Sequence, residues 1–350
     1  MIEPMLLPTS TIRDAIDVIE HTRRFIAAVV DANGKLLGII SDGDIRRSLL
    51  ADKTLDDFAT VAMTEKPILG RADDPAEVLQ KKMLDLGVAA LPLVDECNRF
   101  VRIAQVNDET EIRSVASSAD LFWGAVVMAG GEGRRLRPLT ENMPKPMLTV
   151  GGVPLLERQI RGMVSRGLKR IFISTNYLGH LIEDHFGDGS DIGARIAYLK
   201  EDKKLGTAGA LSLLPERPDG PILVINGDVL TTSDYGRMLD FHDNNSALMT
   251  VAAIEYHIEI PFGVIETSGV FATALQEKPS QSYLCNAGMY VLSPKALELI
   301  PKDGFFNMTD VIDAAIAIGE KVCVFPVHEY WTDIGSPSDL AIAQKMFGDR

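Results

Sequence analysis

Short, fully apolar runs recur through the later part of the chain, each closed by glycine or a polar residue and followed by a stretch of helical periodicity. A strand opening at Ala125 is followed by strands predicted over 169–174, 196–199, 222–225, 248–253 and 322–327. Helices are predicted near 155–164, 207–214 and 235–241. That alternation implies βαβ units, an α/β class and a Rossmann-like, mostly parallel sheet, with ligands at the carboxyl ends of its strands. The first part of the chain reads differently, because it repeats itself. Val29-Val30-Asp31 followed by Gly34 to Ser41 recurs 64 positions on as Leu93-Val94-Asp95 followed by Asn98 to Gln105. Each copy reads strand, polar turn, strand, after a helix predicted over 12–20 or 76–86, and two such copies can bury each other's apolar faces. The small, polar stretch 114–120 has the composition of a linker. The expected organisation is a paired domain over 1–118, with halves of about 1–60 and 61–118, the end of a linker at 119–122, and an α/β domain over 123–350.

Composition narrows the function classes. A chain of 350 residues with 46% apolar and 24% charged residues can bury a substantial core across two or three domains. Its net charge of −14 repels nucleic acid and anionic membrane, so neither is an expected partner and any phosphate must be held by a local pocket. Cys97, Cys285 and Cys323 show neither disulfide-framework nor zinc spacing, which fits thiols in a reducing compartment. The start, MIEPMLLPTS, lacks a basic leader, and no run approaches the ~20 apolar residues of a membrane span. A cytoplasmic location is expected.

The candidate chemistry lies in AVVMAGGEGRRLRPLTENMPKP, residues 125–146. The strand breaks at Gly130, Gly131 and Gly133 into a loop whose backbone N–H groups can approach an anion, with Arg134, Arg135, Arg137 and Lys145 to supply charge. There is no Gly-Lys-Ser/Thr and no third glycine at dinucleotide spacing, so neither common phosphate motif applies. The string Gly131-x-Gly133-x-Arg135-Leu136-x-Pro138-Leu139-Thr140, followed by Pro144-Lys145-Pro146, resembles the signature of the sugar-1-phosphate nucleotidyltransferases, whose catalytic domain is GT-A-like.

That resemblance implies attack of a sugar-1-phosphate oxygen on the α-phosphorus of a nucleoside triphosphate, with pyrophosphate leaving and Mg²⁺ as cofactor. It puts the Ala129, Gly130, Gly131 and Gly133 loop and Arg135 on the nucleotide, and Lys145 on the reacting phosphate. Asp228, directly after the strand PILVIN and Gly227, and Asp333, in Trp331-Thr332-Asp333, match the metal ligands; Mg²⁺ takes one or two protein carboxylates and leaves its other positions to phosphate and water. Asp228 is also expected to be catalytic. Leu205-Gly206-Thr207-Ala208-Gly209 resembles the base-binding segment, where Gly206 can lie against a flat base and Thr207 can open a helix. Glu201 bears on the base: a carboxylate accepts both N1–H and the N2 amino group of guanine, whereas uracil or thymine suits an amide. GTP is therefore favoured, although KEDKK also reads as a charged surface stretch. Gly263, Glu277, Lys278 and Asn286 fall in segments that resemble the sugar side, while Gly263 and Gly288 equally suit turns.

The N-terminal copies resemble a tandem pair of CBS domains, with Met63-Thr64 and Pro67 at the start of the second. That family holds an adenine nucleotide's ribose through a Ser or Thr and an Asp three residues later. Ser41 and Asp44 satisfy this in the first copy; Gln105 and Asp108 do not supply the hydroxyl in the second. Ser41 and Asp44 equally suit the cap of a helix over 45–50. The fused arrangement resembles the branch that includes glucosamine-1-phosphate guanylyltransferases of legionaminic acid biosynthesis, which favours glucosamine- or N-acetylglucosamine-1-phosphate and a homo-oligomer. Mannose- or heptose-1-phosphate guanylyltransferases and uridylyl- or thymidylyltransferases share most motifs. A catalytically inactive, adenine-nucleotide-sensing protein is the reading from another class; retention of Arg135, Lys145, Asp228 and Asp333 argues against it.

Overall fold

Residues 4–22, 25–86, 88, 90–105 and 121–348 are described in a computed structural model of the chain. It divides into two units, Met1–Arg113 and Ser114–Arg350.

In the first unit the sequence repeat is also a structural one. The first copy comprises β1 (Met5–Leu6), α1 (Ile12–Thr22), β2 (Ile26–Val30) and β3 (Leu36–Ser41), followed by α2 (Asp42–Leu50). The second comprises β4 (Gly70–Arg71), α3 (Ala76–Leu86), β5 (Ala90–Val94) and β6 (Phe100–Gln105). In both, a short strand pairs parallel with the next, which pairs antiparallel with the last. Register shifts fall at matching places, between Val29 and Val30 and between Leu93 and Val94. The turns match as well: the Asp31 carboxylate accepts from the amides of Asn33 and Lys35, and Asp95 accepts from those of Cys97 and Arg99. The copies meet reciprocally, Leu36 N donating to Asn98 O at 3.1 Å and Phe100 N to Gly34 O at 2.9 Å. Ile26 packs with Ala90 and Ile103, and Ala28, Val30 and Leu36 pack with Val94. Burial between copies follows, as the apolar faces predict. Asp108 and the stretch 114–120 lie outside the described residues.

The second unit is built on a seven-stranded sheet. Its first strand, β7 (Gly124–Met128), leads through the small hairpin of β8 (Thr149–Val150) and β9 (Val153–Pro154) to α4 (Leu155–Ser165). Then come β10 (Arg170–Thr175), α5 (Gly179–Phe186), β11 (Arg195–Lys200) and the short α6 (Gly206–Gly209). β12 (Ile222–Asn226), β13 (Val229–Thr231), α7 (Tyr235–Asn244) and β14 (Met249–Glu259) follow, then β15 (Val264–Ser268), β16 (Phe271–Gln276) and β17 (Ser280–Leu292). α8 (Met308–Ala317), β18 (Val322–Val327), β19 (Trp331–Asp333) and α9 (Pro337–Gly348) complete it. The sheet order is β11-β10-β7-β12-β17-β14-β18. β11, β10, β7 and β12 run parallel, β17 is antiparallel to β12 and β14, and β18 is parallel to β14.

The unbroken apolar runs are explained by burial on both faces. Ala125, Val127, Ile171, Ile173, Leu223 and Ile225 enter one core, whereas Val126, Phe172, Ile222 and Val224 enter the other. Alternate residues of one strand thus serve opposite layers. Because β7 has β10 on one side and β12 on the other, the chain reverses direction across the sheet at β7, and a crevice opens at its carboxyl end.

Two expectations are corrected. The helix expected over 207–214 is instead the single turn α6 followed by a 3₁₀ turn at Ala210–Leu213; the otherwise unpaired first-turn amides of α6, Ala208 N and Gly209 N, both donate to Phe306 O. The strand expected over 248–253 continues to Glu259 and pairs with β17 as far as Ser280, forming an exposed arm that carries the β15–β16 hairpin.

Candidate functional site

Four parallel strands deliver their carboxyl ends to one edge, and chemistry follows each. The loop after β7 turns at Gly133, where φ is +60° and an added Cβ would lie 3.0 Å from both the Lys145 Cβ and the Thr140 Cγ2. Only glycine suits that combination of backbone and crowding. Thr140, fully buried, donates to Gly133 O at 2.8 Å and holds the loop closed. A cavity of about 400 Å³ opens over it, lined by Gly130, Gly131, Glu132, Gly133, Arg134, Ser174, Glu201, Lys204, Gly206, Thr207, Asn226 and Asp228, among others.

Lys145, 9% exposed, projects into this edge and pairs with Asp228; its ammonium lies 3.5 Å from Asp333 Oδ1. Asp333 reaches Asp228 because β19 pairs antiparallel with β13, setting Val229 opposite Asp333, and Ile334 N donates to Asp228 O at 3.1 Å. Two carboxylates 105 positions apart in sequence (333 − 228) are thereby brought together. Burial, and then the neighbouring charge of Asp228, push the Asp333 carboxyl above the usual carboxylate range, against the opposing pull of Lys145. Asp333 Oδ1 is buried without a hydrogen-bond partner. A hard divalent cation fits this donor set: two adjoining carboxylates, one oxygen of which has no donor. Arg135 lies at the same corner, since a Cβ on Gly335 would fall 3.2 Å from its Nη1 and 3.3 Å from Asp333 Oδ2.

Across the cavity, Glu201 follows β11 and is not a loose surface carboxylate. Ser174, at the end of β10, donates to Glu201 Oε1, and Leu205 N donates to Oε2 at 3.0 Å. Asn176 Nδ2 holds the Glu201 carbonyl at 2.7 Å. A Cβ on Gly130 would stand 2.8 Å from Glu201 Oε1, so the glycine loop and this carboxylate are in close contact. Gly206, at φ +81°, allows close approach to Phe306 O, and Thr207 receives Met308 N at 2.9 Å, capping α8 and not the helix expected to begin at Thr207. Both nevertheless line the cavity. Glu132 pairs with Arg134, at 2.7 Å, and with Lys204; these cations hold its carboxyl down at about 2. Ala129 is buried beneath the loop.

The residues expected on the sugar side form a looser group. Gly263 and Glu277 adjoin, an added Cβ on Gly263 lying 3.0 Å from Glu277 Oε2, and Lys278 sits beside them at φ +45°. All three are exposed at the far end of the arm, where the β15–β16 hairpin joins it, and outside the lining of the cavity. Asn286 accepts from Gly288 N at 3.0 Å, and Gly288 packs on the Asn226 amide, which does line it. Sequence reasoning missed Ser174, Lys204, Asn226 and Phe305. Ser174 and Asn226 had a positional signal, as polar residues ending apolar strands; Phe305 had none.

In the first unit Ser41 and Asp44 form a complete capping box on α2. Asp44 N donates to Ser41 Oγ at 3.2 Å and Ser41 N to Asp44 Oδ2 at 2.8 Å. Asp44, 8% exposed, also receives Thr64 Oγ1 at 3.2 Å and pairs with Arg47.

A glycine loop, a buried lysine and paired carboxylates at the switch point of a parallel sheet define a nucleotide-handling α/β transferase. The chain belongs to the nucleotidyl transferase family, whose family model matches residues 124–349; that of the CBS domain matches residues 3–51. The chain is 33% identical to mannose-1-phosphate guanylyltransferase of Mycobacterium tuberculosis over 224 residues, covering 62% of each chain. It is 31% identical to mannose-1-phosphate guanyltransferase of Yarrowia lipolytica, covering 61% of each. The chain thus spans about three fifths of the length of these relatives, 62% and 61%. Among solved structures, HddC from Yersinia pseudotuberculosis superposes with a TM-score of 0.52 at 26% identity, covering 64% of this chain and 99% of that one. HddC complexed with GMP-PN gives 0.51 at 25% identity, covering 64% and 99%. The chain thus carries a nucleotidyl transferase domain over residues 124–349 and a CBS domain over residues 3–51. Among the described residues, no helix is long and apolar enough to cross a membrane.

Proposed function

We propose that the chain transfers a guanylyl group from GTP to a hexose-1-phosphate, releasing pyrophosphate. The observation that carries this reading is the meeting of Lys145, Asp228 and Asp333 beside the glycine loop. Transfer at phosphorus needs no covalent nucleophile; it is promoted by positioning and by neutralising charge. The glycine-loop amides and Arg135 take the β and γ phosphates, Lys145 the reacting phosphate, and Lys278 the sugar phosphate, with Gly263, Glu277 and Asn286 toward the sugar. Asp228 and Asp333 hold Mg²⁺, which when bound neutralises charge on the triphosphate. Glu201, fixed by Ser174 and Leu205 N, retains lone pairs for the two adjacent donors of guanine. The guanylyltransferase names of the relatives and the GMP-PN complex of HddC support the same base.

For the sugar, those names favour mannose-1-phosphate over the glucosamine-1-phosphate toward which the sequence resemblance leans. Assay of pyrophosphate release from GTP with mannose-, glucosamine- and N-acetylglucosamine-1-phosphate tests the order. Faster turnover with either amino sugar reverses it. A regulatory adenine nucleotide at Ser41 and Asp44 is supported by the CBS match over residues 3–51 and by the Ser-Asp pair at the end of β3. A homo-oligomer remains part of this reading by family resemblance.

A further inference from the structure

Gln159 belongs to none of the motifs, yet it grips the turn that carries Asp228. It lies on α4, 5% exposed, and its Nε2 donates to Asn226 O and to Val229 O, both at 3.0 Å. Those carbonyls bracket the two-residue connection Gly227–Asp228 between β12 and β13. The amide orientation is fixed by its partners, because a flipped amide would set its oxygen against two carbonyl oxygens. Its own Oε1 is buried with no partner. An unpaired buried acceptor costs free energy that leucine or methionine at the same place would not incur, so what glutamine supplies there is the pair of N–H donors. The connection is otherwise held by its backbone, Gly227 N donating to Met128 O at 2.9 Å and Ile334 N to Asp228 O at 3.1 Å. A Cβ on Gly227 would lie 2.9 Å from Met128 O, leaving no room for any other residue.

We infer that Gln159 is a positioning residue: by tying Asn226 and Val229 from below it sets the direction in which the Asp228 carboxylate projects, and with it the spacing of Asp228 from Asp333 and Lys145. This rests on the reading of Asp228 as a metal ligand. Residues that orient metal ligands typically govern metal affinity or activity by about 10–100-fold, and a carboxylate displaced by a fraction of an ångström serves two partners at once less well.

The test is Gln159→Met in the full chain, which keeps side-chain volume and removes both donors. Mn²⁺ affinity is measured by electron paramagnetic resonance with a non-hydrolysable GTP analogue, beside circular dichroism, Mg²⁺ half-saturation, kcat and KM for the sugar phosphate. The expected result is a native spectrum, Mn²⁺ affinity and kcat each lower by about 10–100-fold, and an unchanged KM. Should that variant not fold, Gln159→Asn, whose shorter amide cannot reach both carbonyls, carries the same measurements. Wild-type Mn²⁺ affinity in the folded variant, with activity scaling only with the folded fraction, overturns the inference and leaves Gln159 a packing residue. Asp228→Asn separates the two readings. If it is inactive while Gln159→Met binds Mn²⁺ normally, the clamp alone falls; if it turns over like wild type, the metal reading falls and takes the clamp with it.

Discussion

An ammonium group as enclosed as that of Lys145 needs carboxylates, and Asp228 and Asp333 supply them. Removing the cation leaves two like charges facing each other, Asp333 already disfavoured as an anion by burial. Lys145→Met is expected to lower stability by about 1–3 kcal/mol, less than for a fully buried pair because both carboxylates are partly solvated. Thermal melts with and without Mg²⁺ check this: Mg²⁺ should recover part of the loss, and a melt indifferent to Mg²⁺ contradicts a shared cation site. At the base, the missing Cβ of Gly130 is as informative as any side chain. Gly130→Ala would place a methyl 2.8 Å from Glu201 Oε1 and displace the carboxylate. Steady-state assays should show KM for GTP rising and the preference over UTP shrinking, each by about tenfold, the scale of one misplaced hydrogen-bonding group. An unchanged GTP/UTP ratio would mean that Glu201 does not read the base.

At the scale of elements, legibility followed periodicity. The both-face-buried strands β7, β10 and β12 were readable because their central positions, 125–127, 171–173 and 222–225, are all apolar, and α4 and α7 because their stripes are clean. The anchoring of α6 was not readable: its first-turn amides, Ala208 N and Gly209 N, are received by the carbonyl of Phe306, about a hundred positions distant, and no local pattern records that. For the same reason the partnership of Ser174 with Glu201, made between the ends of adjacent strands, left no motif. One tie between elements is pH-sensitive. His242 on α7 meets Thr250 Oγ1 at 3.0 Å on β14 and Ser293 Oγ at 2.9 Å just after β17. Ser293 donates to Ala247 O, so it accepts from His242 Nε2–H, which leaves Nδ1 to accept from Thr250. Desolvation by burial lowers the imidazole pKa from 6.5, outweighing the pull of Asp243, and favours this neutral tautomer. The unfolded chain then binds more protons in the window below 6.5, so this tie stabilises fully above that value and is lost as pH falls through the folded pKa. Denaturant melts from pH 8 to 5 should show stability declining with acid, and His242→Gln should flatten the decline. An equally steep decline in that variant would place the titrating group elsewhere.

For the whole molecule, the repeat in the first unit was legible as two copies of strand, polar turn and strand that bury apolar faces together, because the 64-residue offset carries that pattern; the matching register shifts and the reciprocal bonds between the copies appear only in the structure. Whether Ser41 and Asp44 serve more than a cap was not legible, since both uses call for the same two side chains. Calorimetric titration of the full chain with AMP is expected to show binding that Ser41→Ala weakens; a flat titration would assign the pair to capping alone. A net charge of −14 leaves the local cluster of cations as the means of holding triphosphate, so the central claim is one of local chemistry. It is tested most directly by pyrophosphate release over a grid of GTP, UTP, dTTP, CTP and ATP against mannose-, glucosamine-, N-acetylglucosamine- and glucose-1-phosphate, with Mg²⁺ and with chelator. The account expects turnover with GTP, abolished by chelator and reduced at least about 10²-fold by Asp228→Asn in a folded protein. Turnover that prefers a pyrimidine triphosphate, that survives chelation, or that Asp228→Asn leaves intact would contradict it.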